Sequence, residues 1–178
     1  GAGLGGGVGQ NIQKIYSYGH RNGFGMAFDP QTGYLWETEN ADDAYSEVNR
    51  VVPGMNGGWI QFAGPISRVR DWKTIETTQF NQTLQQVRYP PTRAAYTPAL
   101  AQARLFMLPG AVYKDPELSW RYEIGPSGTA FVSGTALGVA YAGSLWIGSA
   151  RAFSQVGGTG GSPYRLRLTP DRPSLALS

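Results

Sequence analysis

Cysteine is missing from this chain of 178 residues. Disulfides, zinc–thiolate centres and cysteine nucleophiles are excluded with it. Histidine occurs once, at His20, so no multi-histidine metal centre can form. Charge is scarce: charged residues make up 15% of the chain, and the net charge is only +3. So small and scattered an excess does not argue for nucleic acid. No stretch reaches the ~20 consecutive apolar residues that a membrane span needs.

Turn formers and aromatics are plentiful instead. The chain holds 25 glycines and 12 prolines, with 12% aromatic and 41% hydrophobic residues. Many turns with many aromatics favour an all-β domain over a helical one. The length suits one domain with a real core. Residues 1–9, GAGLGGGVG, contain a literal G-x-G-x-x-G but no preceding strand, so they read as a flexible glycine-rich loop. Asn11 to Tyr18 reads as a strand.

Residues 15–59 organise the rest. Gly23 to Phe28 is a short apolar run, Asp29-Pro30-Gln31-Thr32-Gly33 a turn, and Tyr34 to Thr38 the returning strand. A polar loop from Asn40 to Ser46 precedes a third strand, Glu47 to Val52. In such an antiparallel meander, the start of the first strand lies beside the end of the second. Arg21-Asn22 and Asn40-Ala41-Asp42 should therefore converge at one rim. A cation, amides, carboxylates and loop carbonyls together suit an anion plus a hard cation such as calcium. They equally suit two polar loops that satisfy each other.

Residues 60–102 are irregular, with a short helix or excursion near Trp72–Leu84 and breaks at Pro90, Pro91 and Pro98. They read as a surface insertion that could edge a substrate mouth. Strand signals return at Ala103–Leu108, Gly128–Gly134, Leu145–Gly148 and Tyr164–Leu168. Gly143-Ser144-Leu145-Trp146 echoes Gly33-Tyr34-Leu35-Trp36, either as a repeated blade or as a recurrent hairpin.

The run YGHRNGFGMAFDPQTGYLWETEN…EVNRVVPGMNGGW resembles the signature region of the soluble glucose/sorbosone dehydrogenases. YKDPELSWRYEIGPSGTAFVSG and YRLRLTPDR resemble them too, so the likeness covers most of the chain and is weakest at 66–105. It implies a six-bladed β-propeller of four-stranded antiparallel blades, with pyrroloquinoline quinone (PQQ) and calcium serving aldose oxidation. At ~40–50 residues per blade, the chain would hold roughly three to four blades. Residues 1–178 would then form one partial propeller domain, with the remainder of the ring as its partner.

Carried over residue by residue, the resemblance implies that Arg21 and Asn22 contact the quinone and that Asn40, Ala41 and Asp42 hold calcium against it. Asp42 for proline is a departure: it could add a carboxylate ligand or mark a site that has drifted. Ser46 departs from an acidic residue, and Gly57 from an aromatic. Arg151 matches a cofactor-contacting cation or is a solvated loop charge. Trp120 and Tyr122 fall near the aromatic wall over the sugar, yet both are also ordinary core residues. The resemblance puts the proton-accepting histidine upstream of Gly1 and gives His20 a turn-setting role. It implies a periplasmic or extracellular parent that oxidises an aldose and passes electrons to an external acceptor, the segment alone being inactive. The alternative is a binding or scaffold propeller that kept the fold and lost the chemistry. A calcium-dependent hydrolase would need further clustered acids facing the channel, which the sequence does not display.

Overall fold

Asp29 closes the first hairpin. Its backbone N–H donates to the carbonyl of Tyr34 at 2.8 Å, and its own carbonyl accepts the Gly33 N–H at 2.8 Å. Its carboxylate accepts from the Gln31 N–H at 3.0 Å and the Thr32 hydroxyl at 2.8 Å. Gly33 takes φ 73°, a conformation that side chains oppose. This turn joins β2 (Gly23–Phe28) to β3 (Leu35–Glu39), and β4 (Ala44–Val51) follows antiparallel. The meander that the sequence predicts is present. A distant strand, β7 (Leu118–Tyr122), completes a four-stranded antiparallel sheet in the order β2-β3-β4-β7.

The computed structural model describes residues 6–78, 92–150 and 161–176. A second antiparallel sheet is formed by β8 (Pro126–Phe131), β9 (Leu145–Ser149) and β10 (Pro163–Leu166), in the order β10-β9-β8. The two sheets meet where the Thr38 and Thr129 hydroxyls lie 3.1 Å apart. Gly25 is required there, since a Cβ would come within 2.2 Å of the Ser127 carbonyl oxygen. Trp36, Val48, Trp120, Ile124, Leu145, Ile147 and Leu175 form the core of this pair. Three two-residue strands, β1 (Ser17–Tyr18), β5 (Met55–Asn56) and β6 (Val112–Tyr113), make a small parallel sheet in the order β1-β5-β6. Among the described residues the three sheets do not close into a ring.

The Leu-Trp repeat opens β3 and β9, but the facing differs. Trp36 is buried in the first, whereas Leu145 is buried and Trp146 half-buried in the second. The Leu-Trp pair therefore turns opposite residues inward in the two sheets. A one-residue shift of register is enough to cause this, because side chains alternate faces.

Two of the three helices fall where strands were expected. Gly6–Ile12 is α1, so the described end of the glycine-rich loop and the first residues of the strand expected from Asn11 are helical, and only Ser17 and Tyr18 are in sheet pairing. Val69–Thr78 is α2; of the short helix or excursion expected near Trp72–Leu84, the helix is what the described residues form, and it starts three residues earlier. Pro98–Arg104 is α3, capped by the Thr97 side chain accepting from the Leu100 N–H at 3.2 Å. It takes up the start of the strand expected at Ala103. Helix α2 packs Val69, Trp72 and Ile75 with Ala44, Tyr45 and Phe62, so the described residues of the 60–102 region share a second core with β4.

Candidate cofactor and metal site at the β2–β3 rim

Gly19 turns the chain into the rim with φ 76°, and a Cβ there would strike Asn56 Oδ1 at 2.2 Å. His20 follows. Its Nδ1 lies 2.7 Å from Glu39 Oε1 and 3.1 Å from Glu37 Oε2, and its Nε2 lies 3.0 Å from Ser17 Oγ. The Arg21 backbone N–H donates to Glu39 Oε2 at 2.6 Å. The Asn40 N–H donates to the Asn22 carbonyl at 2.9 Å. The first rim loop is thus stitched onto the end of β3.

The Arg21 side chain crosses the same gap. Nη1 donates to the Asn40 carbonyl at 2.6 Å, Nη2 pairs with Asp42 Oδ1, and the guanidinium lies 5.6 Å from the centre of the Trp59 ring. Arg21, Asn40 and Asp42 therefore come together, with Asn22 joined through its backbone. Ala41 is buried between them, its N–H 3.4 Å from Ser46 Oγ. Asn40 Oδ1 is buried and has no hydrogen-bond partner. A desolvated amide oxygen costs free energy unless something accepts its lone pairs. A cation, a carboxylate, loop carbonyls and a free amide oxygen at one point can hold an anion and a hard cation side by side.

Helix α2 braces this rim from behind, which the sequence reading missed. Glu76 Oε1 accepts the N–H groups of Asp43 at 3.1 Å and Ala44 at 3.0 Å. Nothing local announces that contact, since Glu76 and the loop are far apart in sequence. Burial pushes the Glu76 carboxyl up to about 7, against the opposing pull of the Asp43 N–H. The folded state then holds a proton that the unfolded chain releases at lower pH. Its contribution is complete below the usual carboxylate range and is lost as pH rises through about 7. Glu76→Gln should keep both acceptor contacts and flatten that slope. In urea titrations between pH 5 and 8, wild type should lose on the order of 1–3 kcal/mol more than the variant. Parallel pH profiles would refute the assignment.

β7 ends at the same rim. Tyr122 is the register partner of Ala44, and the Glu123 N–H donates to the Asp43 carbonyl at 3.2 Å. Tyr122 is half-buried, with the Arg121 guanidinium 4.8 Å from its ring centre. Trp120 is 8% exposed and packs on Tyr164 at 5.1 Å between ring centres. It shares a face of β7 with Tyr122, two residues on, and packs into the core of the paired sheets with Trp36, Val48 and Ile124. Arg151 lies outside the described residues.

A second cluster lies under the rim. Glu37 faces Asn49 and Glu39 faces Glu47 across β3 and β4, so all four share one buried sheet face. Gly23 leaves room for Glu37, whose Oε1 would stand 2.2 Å from a Cβ at that position. Burial raises the Glu37 carboxyl to about 7 and raises Glu47 as well. Burial alone would lower His20, but the hydrogen bond and charge of Glu39 win and hold it above its ordinary value.

Comparison with known proteins bears on these residues directly. Over 53 residues the chain is 42% identical to quinoprotein glucose dehydrogenase B of Acinetobacter calcoaceticus, covering 30% of this chain and 11% of that protein. Over 46 residues it is 44% identical to an uncharacterized protein of Synechocystis sp. (strain ATCC 27184 / PCC 6803 / Kazusa), covering 26% and 11% respectively. A solved glucose dehydrogenase aligns at a TM-score of 0.50 and 23% identity, over 89% of this chain and 41% of the other. That likeness is one of fold, and it makes the sheets described above part of a β-propeller. The chain thus spans well under half of that structure. The sequence pattern of the Glucose / Sorbosone dehydrogenase family matches residues 7–114, which include both rim loops and the helix that braces them. The chain belongs to the glucose/sorbosone dehydrogenase family.

Proposed function

We propose that this chain is the cofactor-holding part of a PQQ- and calcium-dependent dehydrogenase that oxidises the anomeric carbon of aldoses. The observation that carries it is the rim itself: Arg21 beside Asn40, whose buried Oδ1 has no partner, and beside Asp42. The donor set fits both groups. Arg21, Asn22 and Asn40 would hold the carboxylates and quinone oxygens of PQQ, and Arg151 would add a second cation. The carbonyls of Asn40 and Ala41 and the Asp42 carboxylate would hold calcium. When bound, PQQ supplies a two-electron acceptor for the C1 hydride of the sugar, with calcium as the Lewis acid beside it.

The protein's own contribution is positioning and charge. Arg21 is fixed through its backbone by Glu39 and through its side chain by the Asn40 carbonyl, so its place is set and an anion would have only to share or displace the Asp42 contact at Nη2. Tyr122, at the end of β7, would border the sugar, with Trp120 two residues before it on the same strand. His20 has both ring nitrogens engaged, by Glu39 and Ser17. As the sole histidine it leaves the proton acceptor to another part of the parent protein. The segment alone would therefore turn over little sugar. The parent would work in the periplasm or outside the cell and hand electrons to an external acceptor.

A scaffold propeller without chemistry is the second reading, favoured by one observation: Asp42 already neutralises Arg21. Full-length protein given PQQ and calcium decides between them. Dye-linked oxidation of aldoses that disappears on chelating calcium supports the enzyme. Full loading without turnover, or no loading, supports the scaffold.

A further inference from the structure

The fold gathers the chain's positive excess in one place. Residues 66–104 hold six of the 15 Lys and Arg residues but two of the 12 Asp and Glu residues, so the remainder has no positive excess at all. Five of the six are described: Arg68, Arg70, Arg93 and Arg104 are exposed, and Lys73 is half-buried. Arg70 and Lys73 of α2 lie 4.6 Å and 5.0 Å from the centre of the exposed Tyr96 ring. Arg104 of α3 donates to the Arg93 carbonyl, and Leu100 is exposed one turn back on the same side of that helix. Arg68 ends a short 3-10 turn, Ile66–Arg68, which packs against α3. The two acids of the segment are engaged elsewhere. Asp71 is bound by Arg121 at 2.8 Å and 2.9 Å and by the Tyr45 hydroxyl at 2.7 Å, and Glu76 is buried beneath the rim. Among the described residues, no carboxylate forms an ion pair with any of the five cations.

We propose that the face formed by Arg68, Arg70, Lys73, Tyr96 and Arg104 docks a one-electron carrier protein with an acidic surface. The proposal rests on the dehydrogenase reading above and locates the acceptor that this reading requires. Oxidising one aldose to its lactone releases two electrons and two protons. Two carrier molecules take one electron each, and the protons pass to water. Three features carry the assignment. First, unpaired cations on one face attract a carboxylate-rich partner and speed its encounter. Second, four of the five are arginine, and a tyrosine lies among them. Arginine and aromatics are enriched at protein interfaces while lysine is depleted, whereas an anionic lipid surface draws both cations alike. Arg70 and Lys73 are held on Tyr96 and Arg104 on the Arg93 carbonyl, so docking costs less side-chain freedom. Third, the face adjoins the rim. Lys73 and Arg70 precede Glu76 by three and six residues, about 4.5 and 9 Å of helix, and Glu76 holds the Asp43 and Ala44 amides.

Full-length protein loaded with PQQ and calcium and given an aldose tests this, with cytochrome c as the probe. Native cytochrome c is basic, and succinylation turns its lysines into carboxylates around the same haem. At low salt the succinylated form should be reduced at least about tenfold faster than the native form, the lower end of electrostatic steering. The difference should vanish near ~1 M salt, where the Debye length is ~3 Å. Arg70→Glu combined with Lys73→Glu should abolish it and leave dye-linked turnover unchanged. Arg165→Glu combined with Arg167→Glu makes the same charge change at exposed positions in and just after β10, and should preserve it. Equal rates for the two cytochromes, or a preference that survives the α2 substitutions, would overturn the proposal. So would phosphatidylglycerol vesicles that bind through Arg70 and Lys73 where succinylated cytochrome c does not, since the face would then belong to a membrane. Binding of oxidised succinylated cytochrome c, measured by calorimetry without sugar, separates this proposal from the reading beneath it. Dye-linked turnover without such binding removes the docking face alone. Binding without dye-linked turnover removes the dehydrogenase and, with it, the electron-transfer role of the face.

Discussion

Arg172→Ala should cost about 3–5 kcal/mol of folding stability, because removing one partner strands a buried charge. The Asp29 carboxylate is wholly buried and is held by Arg172 through two bonds, at 2.5 Å and 2.8 Å, while the guanidinium also donates to the Gly143 carbonyl at 2.9 Å. That one cation ties the β2–β3 turn to the chain's last described segment and to the loop before β9. Burial by itself would raise the Asp29 carboxyl, but Arg172 and the turn's own donors hold it below the usual carboxylate range. The pair's stability is therefore present above that range and lost as pH falls through the lowered value. In the variant, burial acts unopposed by Arg172, so acidification should help rather than hurt. Urea unfolding at pH 7 and pH 4 reads both effects. A loss below about 1 kcal/mol at pH 7, within the range of an exposed pair, would show that the bridge does not hold the sheets together.

Arg21→Gln should reduce PQQ affinity of the full-length protein by at least about thirtyfold, the lower end of the ~2–5 kcal/mol lost when a buried charge pair is truncated. The substitution keeps a donor near the Asn40 carbonyl but removes the cation and its paired geometry. Arg21→Lys should recover only part, since an ammonium cannot pair with a carboxylate through two parallel bonds. Titration of the quinone absorbance with calcium present measures this. Because Asp42 competes for the same guanidinium, Asp42→Asn should tighten quinone binding in calcium-free buffer and raise the calcium needed for turnover. An Arg21→Gln protein that binds PQQ as wild type does would remove the rim from the cofactor site.

The local chemistry of residues 19–52 was sufficient for the rim. Proline, threonine and glycine in the 29–33 turn dictate a hairpin, and alternation in the flanking runs fixes which ends meet. Arg21, Asn22, Asn40 and Asp42 converge because one antiparallel turn leaves them no other arrangement. The inward square of Glu37, Glu39, Glu47 and Asn49 follows from the same alternation, yet it stayed unread. Periodicity places residues on a face but does not say that polar ones will be buried there.

Sequence alone thus determined the meander, its turn and the meeting of two rim loops, since neighbours within about 30 residues impose those through backbone sterics and period. Tertiary structure decided what distant segments do to them. Helix α2 brings Glu76 onto the Asp43 and Ala44 amides, Arg172 reaches back to Asp29, and β7 turns Trp120 into the core. These contacts join elements whose spacing carries no local signal. They form because a buried carboxylate, amide or ring must find its partner wherever the packed sheets deliver one.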